Sequence, residues 1–146
     1  MNMNLRINHL AILVCFLLLT GLGFLWYGSV LFGDPWMEMV GLDRATVEAN
    51  PPGASIWVTN VIATLAPLYV LAWLFIKMGV DSGIRGAGIG LLISFSFIFL
   101  SKMTGDLFAR NPYALSWITG GYDMVALTVS GFILGAWTKT KKSEES

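Results

Sequence analysis

LAILVCFLLLTGLGFLWYGSV, residues 10–30, decides the environment of this chain, because the stretch contains no charged side chain. A helix of this length, rising about 1.5 Å per residue, crosses the ~30 Å hydrocarbon core of a bilayer. Three further apolar stretches of similar length follow, at residues 56–76, 84–103 and 115–137. Only the last stretch carries a charge near its middle, Asp123. The sequence therefore predicts an all-α integral membrane protein, with four transmembrane helices in an antiparallel bundle.

The composition agrees with a membrane domain. Hydrophobic residues make up 55% of the chain and charged residues 12%, which is about half the charged share of a soluble protein. Little sequence remains for a soluble domain, so residues 1–146 are predicted to form one membrane domain that ends in a polar tail, residues 138–146. The net charge of +0 gives no reason to expect nucleic acid as a partner. Membrane lipids are the expected surroundings, and the single cysteine, Cys15, excludes an internal disulfide.

The first apolar stretch has the outline of a signal peptide, since Arg6 precedes it. However, it continues through Trp26, beyond the length of a signal h-region, and no small-residue cleavage site follows. Val14 also stands where a lipoprotein signal needs a small residue before Cys15. We therefore expect the first stretch to be retained as a membrane helix.

The basic residues predict an orientation, because cytoplasmic loops of membrane proteins are enriched in Lys and Arg. With four spans, the two termini and the second loop share one side. That side holds six basic residues and the other side three: Arg6, Lys77, Arg85, Lys139, Lys141 and Lys142 against Arg44, Lys102 and Arg110. This distribution predicts that both termini lie in the cytoplasm.

The first loop is long enough for structure of its own. Asp34 followed by Pro35 is a helix-start signature, and the apolar residues that follow, including Trp36, favour a short helix in the membrane interface. Asp43 is predicted to cap a second short helix, and Ser55 to cap the second span. Most tryptophans, with two tyrosines nearby, lie near span ends and are typical of aromatic belts: Trp26, Tyr27, Trp57, Trp117, Tyr122 and Trp137.

Asp123 is the main candidate for a functional or packing polar group. A carboxylate at that depth costs about 2.5–3.5 kcal/mol, so it should face protein or water. Thr119 shares its helix face, and Gly131 and Gly135 on the neighbouring face permit close helix contact, so the fourth span is predicted to be the packing centre. Lys102 is a possible partner, with an ion pair that fixes helix register as the leading interpretation.

Other polar residues give weaker signals. Lys102, Asp106 and Arg110 follow at i+4 steps and predict a charge ladder at the end of the third span. Asn60 shares a face with Thr64 and Pro67 in the second span, where packing is favoured over a transport site. The glycines at 86, 88 and 90 favour close helix contact over nucleotide binding. A metal site at His9 is not expected, and neither is a cofactor.

Two stretches resemble a known family. They are LWYGSVLFGDPWMEMVGL, residues 25–42, and GYDMVALTVSGFILGAW, residues 121–137. Together with the order of four spans, they resemble the bacterial membrane family catalogued as domain of unknown function 1761. The resemblance implies a small four-span inner-membrane protein and supplies no activity. The family pattern more often has a histidine after the Gly-Tyr pair, where this chain has Asp123.

Three functions stay open at this point. The leading hypothesis is a non-catalytic accessory or scaffold subunit of a membrane complex, because the chain is small and no catalytic residue set can be assembled. The alternative is a small carrier or channel that works as a homo-oligomer, with Asp123 and Asn60 on its path. A lipid- or quinone-modifying enzyme would use Asp123 with Tyr122 or Lys102 as acid–base groups.

Overall fold

The computed structural model describes residues 5–140, and the side chains of residues 6–138. Four helical segments are long and apolar enough to cross a membrane, as the sequence predicts. Of the predicted tail, residues 138–146, the part from residue 141 onward lies outside the described residues. In chain order the elements are β1 (Leu5–Arg6), α1 (His9–Trp26), α2 (Gly33–Met39), α3 (Arg44–Ala49), α4 (Ala54–Met78), α5 (Gly83–Ile93), a π-helical segment (Ser94–Phe99), α6 (Leu100–Phe108), α7 (Tyr113–Ala136) and β2 (Lys139–Thr140).

The first span ends at Trp26, four residues before the predicted end at Val30. The chain turns there because the carbonyl of Trp26 accepts a hydrogen bond from the amide of Phe32, at 2.9 Å. The turn leads directly into α2, so this helix begins at Gly33 and has no side-chain cap, in contrast to the predicted start at Asp34. Gly33 is buried, and a Cβ there would lie closer than 3.0 Å to backbone atoms of the turn.

The two helix caps predicted for the rest of the first loop differ in outcome. Asp43 caps α3 as predicted, because its carboxylate accepts hydrogen bonds from the amide and the hydroxyl of Thr46, at 2.8 and 2.6 Å. The same bonds lower the pKa of Asp43. The predicted cap at Ser55 is wrong: α4 begins at Ala54, and Gly53 is the N-cap, whose carbonyl accepts from Ile56.

The helix α7 is the packing centre of the bundle, as its small and polar faces predict. Buried residues make up 44% of its most apolar stretch, against 22% in each of the other three spans. The closest contact is with α5, where Gly86 meets Gly131 and Gly90 meets the carbonyl of Leu127. A Cβ on either α5 glycine would lie closer than 3.0 Å to the α7 backbone. The two backbones are therefore in direct contact, and this explains the glycines of the third span.

The chain closes on itself at one end of the bundle, where β1 pairs antiparallel with β2. Beside this pairing, the buried side chain of Asn8 caps α1 and donates a hydrogen bond from Nδ2 to the carbonyl of Trp137, at 2.9 Å. We call this the terminal end, and the opposite end, with α2 and α3, the loop end. The apolar core of α1, α4 and α7 lies toward the terminal end and includes Ile12, Cys15, Leu68, Phe75 and Leu134.

Candidate functional site

The two charged candidates of the third and fourth spans meet at the loop end. The ammonium of Lys102 on α6 lies 2.5 Å from Oδ2 of Asp123 on α7. The side chains are 42% and 23% exposed, so the pair lies at the edge of the bundle. Each charge offsets part of the desolvation cost of the other, and the pair joins α6 to α7.

The π-helical segment explains how Lys102 reaches Asp123. In a regular α-helix, Gly90 and Lys102 would point about 120° apart, because successive residues turn by about 100°. A π turn takes up one extra residue, and here the amide of Leu100 bonds to the carbonyl of Phe95. The angle between Gly90 and Lys102 around the helix axis therefore falls to about 20°. One helix can then present both its glycines and its lysine to α7.

The predicted ladder of Lys102, Asp106 and Arg110 is wrong. Lys102 bonds to Asp123, and α6 ends at Phe108, so Arg110 lies beyond the helix with a φ of 61°. Asp106 instead accepts hydrogen bonds from two side chains outside α6. The hydroxyl of the fully buried Ser116 lies 2.8 Å away, and the amide of Asn111 lies 3.2 Å away. Asp106 thus holds the start of α7 against α6, a contact that the sequence did not reveal.

Aromatic side chains join α1, and the residue that follows it, to α7. Tyr122 donates a hydrogen bond from its hydroxyl to the carbonyl of Leu19 on α1, at 3.0 Å. The indole of Trp26 donates to the carbonyl of Ile118, at 2.9 Å. Trp26 was predicted as a belt residue, and this bond ties the end of α1 to α7. Tyr27, just past α1, packs on Tyr122 with ring centroids 5.6 Å apart.

The surroundings of Tyr27 keep its hydroxyl protonated. Burial raises the pKa of this phenol to about 12, and the negative charge of Asp123 acts in the same direction. On its other side, the ring of Tyr27 meets the indole of Trp36 edge-on, with centroids 5.2 Å apart. Trp36 thus lies beside the end of α1, next to the aromatic residues that were predicted with it.

A groove of about 550 Å³ lies between α1 and α4 at the loop end, and we call it the α1–α4 groove. The spacing of the candidates in the sequence did not predict that they would share a groove. Four of them line it: Tyr27, Trp36, Asn60 and Tyr122. Phe24 and Trp57 form its wall across the helices, with ring centroids 6.3 Å apart. All residues that line the groove are uncharged. The groove is therefore mostly apolar, with a few hydrogen-bonding groups.

The groove exists because the loop-end half of α4 does not pack tightly. The four buried residues of α4 all follow Pro67: Leu68, Leu71, Ala72 and Phe75. Before Pro67, Thr64 and Leu65 are the only half-buried residues of the helix, and every residue from 41 to 63 is exposed. Sequence reasoning missed this division, since the apolar stretch looks uniform along its length.

The remaining candidates have local roles. Thr119 donates a hydrogen bond to the carbonyl of Leu115 within α7. His9 lies at the terminal end, where its Nδ1 is 3.0 Å from the hydroxyl of Tyr69. Between residues 5 and 140, no group of three His, Cys, Asp or Glu side chains is placed to hold a metal ion.

Most of the chain matches a known protein family. A family model described as "Protein of unknown function (DUF1761)" matches residues 10–135. The chain belongs to this family. No curated protein and no solved structure matches the chain.

In this DUF1761 member, the polar groups of the loop end form two arrangements. On α6 and α7, Lys102 pairs with Asp123 and Asp106 with Ser116, so these groups satisfy each other. In the α1–α4 groove, by contrast, the amide of Asn60 and the indole N–H of Trp36 make no hydrogen bond within the described part of the chain. The first arrangement holds helices together, and the second is available to a molecule outside the chain.

Proposed function

We propose that this protein is a non-catalytic accessory or scaffold subunit of a membrane complex. The main support is the exposed run from residue 41 to residue 63, which covers α3 and much of the loop-end half of α4. Elsewhere, each spanning helix buries part of its surface against the rest of the chain. In a membrane, a half-helix without a buried residue is covered either by lipid or by another protein, and we propose a protein because small residues lie along it.

The chemistry of this half-helix suits a partner's transmembrane helix. Ser55, Thr59 and Ala63 follow one another at i+4 steps and form a stripe of small residues on α4. Such stripes let two helix backbones approach closely within a bilayer. The adjoining loop is acidic, with four carboxylates against one arginine: Asp34, Glu38, Asp43 and Glu48 against Arg44. Basic side chains on the partner would therefore be attracted to it.

The other two hypotheses have less support. A carrier or channel that works through Asp123 needs a carboxylate on a path across the membrane, whereas Asp123 is engaged by Lys102 at the edge of the bundle. An intramembrane enzyme needs an acid–base partner for Asp123. Lys102 is the only side chain that hydrogen-bonds to it among the described residues, and that contact already occupies the carboxylate.

Native mass spectrometry of the gently extracted protein tests the proposal. We expect a complex in which this chain and another protein occur in a fixed ratio. Thr59→Trp should dissociate that complex, because the indole blocks close approach along the small-residue stripe. Leu92→Trp places the same side chain on an exposed position of α5 and should leave the complex intact.

Two outcomes would contradict an accessory role. One is a parent protein that carries only lipids and no second protein chain. The other is a complex that Thr59→Trp and Leu92→Trp weaken equally, since the exposed half of α4 would then not be the contact surface.

We also propose the bacterial inner membrane as the location, with the terminal end in the cytoplasm. The excess of Lys and Arg on the side of the termini supports this orientation, and the resemblance to a bacterial membrane family supports the location. In a Cys15→Ser background, Glu48→Cys should react with a membrane-impermeant maleimide in intact cells. Asp81→Cys, in the loop between α4 and α5, should react only after the membrane is opened. The reverse pattern would mean the opposite orientation.

A further inference from the structure

The size and position of the α1–α4 groove match those of a small-molecule site. Its volume of about 550 Å³ falls within the range of roughly 300–1,000 Å³ that ligand pockets occupy. One wall belongs to the exposed half of α4, so the groove opens sideways between two transmembrane helices. Because its lining is mostly apolar, the groove suits a ligand that dissolves in lipid and enters from the bilayer.

The polar groups of the groove select the head of such a ligand. The indole N–H of Trp36 is a donor, and the amide of Asn60 offers two donor hydrogens. Tyr27 adds a hydroxyl that stays protonated. None of these side chains donates a hydrogen bond within the described residues. A ligand head with carbonyl acceptors would satisfy them, which is valuable where water is scarce.

The charge and the shape of the groove narrow the chemical class of the ligand further. No charged side chain lines the groove, and the nearby pair of Lys102 and Asp123 is complete, so an ionic headgroup would find no counter-charge. Aromatic rings stand on two sides, as the pair of Phe24 with Trp57 and the pair of Tyr27 with Trp36. A flat ring can stack against such faces.

A second groove of similar size has fewer free polar groups than the α1–α4 groove. It has a volume of about 530 Å³ and lies beside Trp26 and Trp117, on another face of α7. Its one lining hydroxyl, on Thr128, already donates to the carbonyl of Met124 within the helix, at 2.6 Å. The indole N–H of Trp26 is also bonded, to Ile118, so Trp117 supplies the one unbonded side-chain donor among the residues that line this groove. The second groove can accept lipid chains but offers little to orient a polar head.

We propose that the α1–α4 groove binds an uncharged, ring-bearing membrane amphiphile with carbonyl acceptors, of the quinone class. The ring lies among Tyr27, Trp36 and Trp57, and one carbonyl accepts from the amide of Asn60. The apolar tail leaves into the bilayer on the side of α4 that carries Ile56 and Asn60, about 100° around the helix from the small-residue stripe on which we propose that a partner packs. The ligand and the partner therefore occupy different faces of α4.

Quinone binding can be measured with the protein in nanodiscs, by titrating decylubiquinone and following tryptophan fluorescence. We expect saturable quenching at one quinone per chain, beyond the linear quenching that partitioning into lipid produces. Asn60→Leu should weaken binding about tenfold, the loss expected for one hydrogen bond in a site shielded from water. Thr59→Leu changes the neighbouring residue outside the groove and should bind as the parent does.

Further variants locate the ring and check the fold. Trp36→Phe and Trp57→Phe should each remove part of the saturable quenching, and together most of it, whereas Trp137→Phe, at the terminal end, should keep it. Asn60→Gln retains an amide and should bind more tightly than Asn60→Leu. Since Asn60 is exposed, both Asn60 variants should keep the parent's thermal unfolding midpoint.

Two results would overturn the proposal. Strictly linear quenching with the parent protein would mean that the groove does not hold a quinone. Equal competition by dioleoylglycerol, an uncharged amphiphile without a ring, would mean that the site does not select the ring. Neither result depends on the complex detected by native mass spectrometry, so the two proposals fail separately.

Discussion

Replacing Gly86 with valine is expected to destabilise the folded protein by at least about 3 kcal/mol. The physical reason is that a Cβ on Gly86 would lie closer than 3.0 Å to the backbone carbonyl of Gly131. Backbone atoms cannot rotate away as a flexible side chain can, so α5 and α7 must separate. Their separation would disrupt the closest helix contact in the bundle. Thermal or detergent-induced unfolding of the purified protein measures the loss.

Gly88 provides the matched control. It lies in the same helix, and nothing is within 4 Å of the position that its Cβ would occupy. Gly88→Val makes the same change in side chain and in helix propensity, and its stability should stay within about 0.5 kcal/mol of the parent. If the two variants lost similar stability, the direct contact of the α5 and α7 backbones would be disproved.

Inserting one alanine after Phe97 is expected to abolish the coupling between Lys102 and Asp123. The π-helical segment already takes up one extra residue, so another rotates Lys102 by about 100° away from α7. Deleting Phe97, which is exposed, should instead restore a regular α-helix and leave Lys102 in place. Insertion should therefore be destructive and deletion tolerated, although both occur within a spanning helix.

The coupling can be read from the effect of Lys102→Met in each background. In the parent, this substitution leaves Asp123 without its partner and should cost about 2 kcal/mol. The cost should be similar after deletion of Phe97. After the alanine insertion it should fall below about 0.5 kcal/mol, because the two side chains no longer meet. A deletion that removed the coupling would contradict the role assigned to the π turn.

The sequence predicts the four spans and the central position of α7 because these depend on local composition. Apolar length identifies a span, and small residues on one face identify close packing. Gly86 and Gly131 illustrate this, since each glycine is needed where the other helix approaches. The same reasoning located Asp123 and Lys102 at the same end of the bundle but left their contact open.

The π turn and the groove could not be predicted in this way. The segment Ser94–Phe99 contains no glycine or proline that would mark a change in the helix, and its extra residue has meaning only when both of its flanks contact α7. The groove depends on where α4 stops packing and on Tyr122 reaching across to Leu19 on α1. Both features follow from distances between helices, which the pattern of a single helix does not contain.

The bond between Asn8 and Trp137 sets an order of events during biosynthesis. Translation proceeds at roughly 5–20 residues per second, so β2 is made on the order of ten seconds after α1. During that interval α1 is in the membrane while the carbonyl that receives its Asn8 side chain does not yet exist. The bundle therefore closes only after the last span has been inserted. A nascent chain stalled before Trp137 would lack the hydrogen bond that holds the start of α1 to the end of α7. Membrane quality-control proteases could recognise this form.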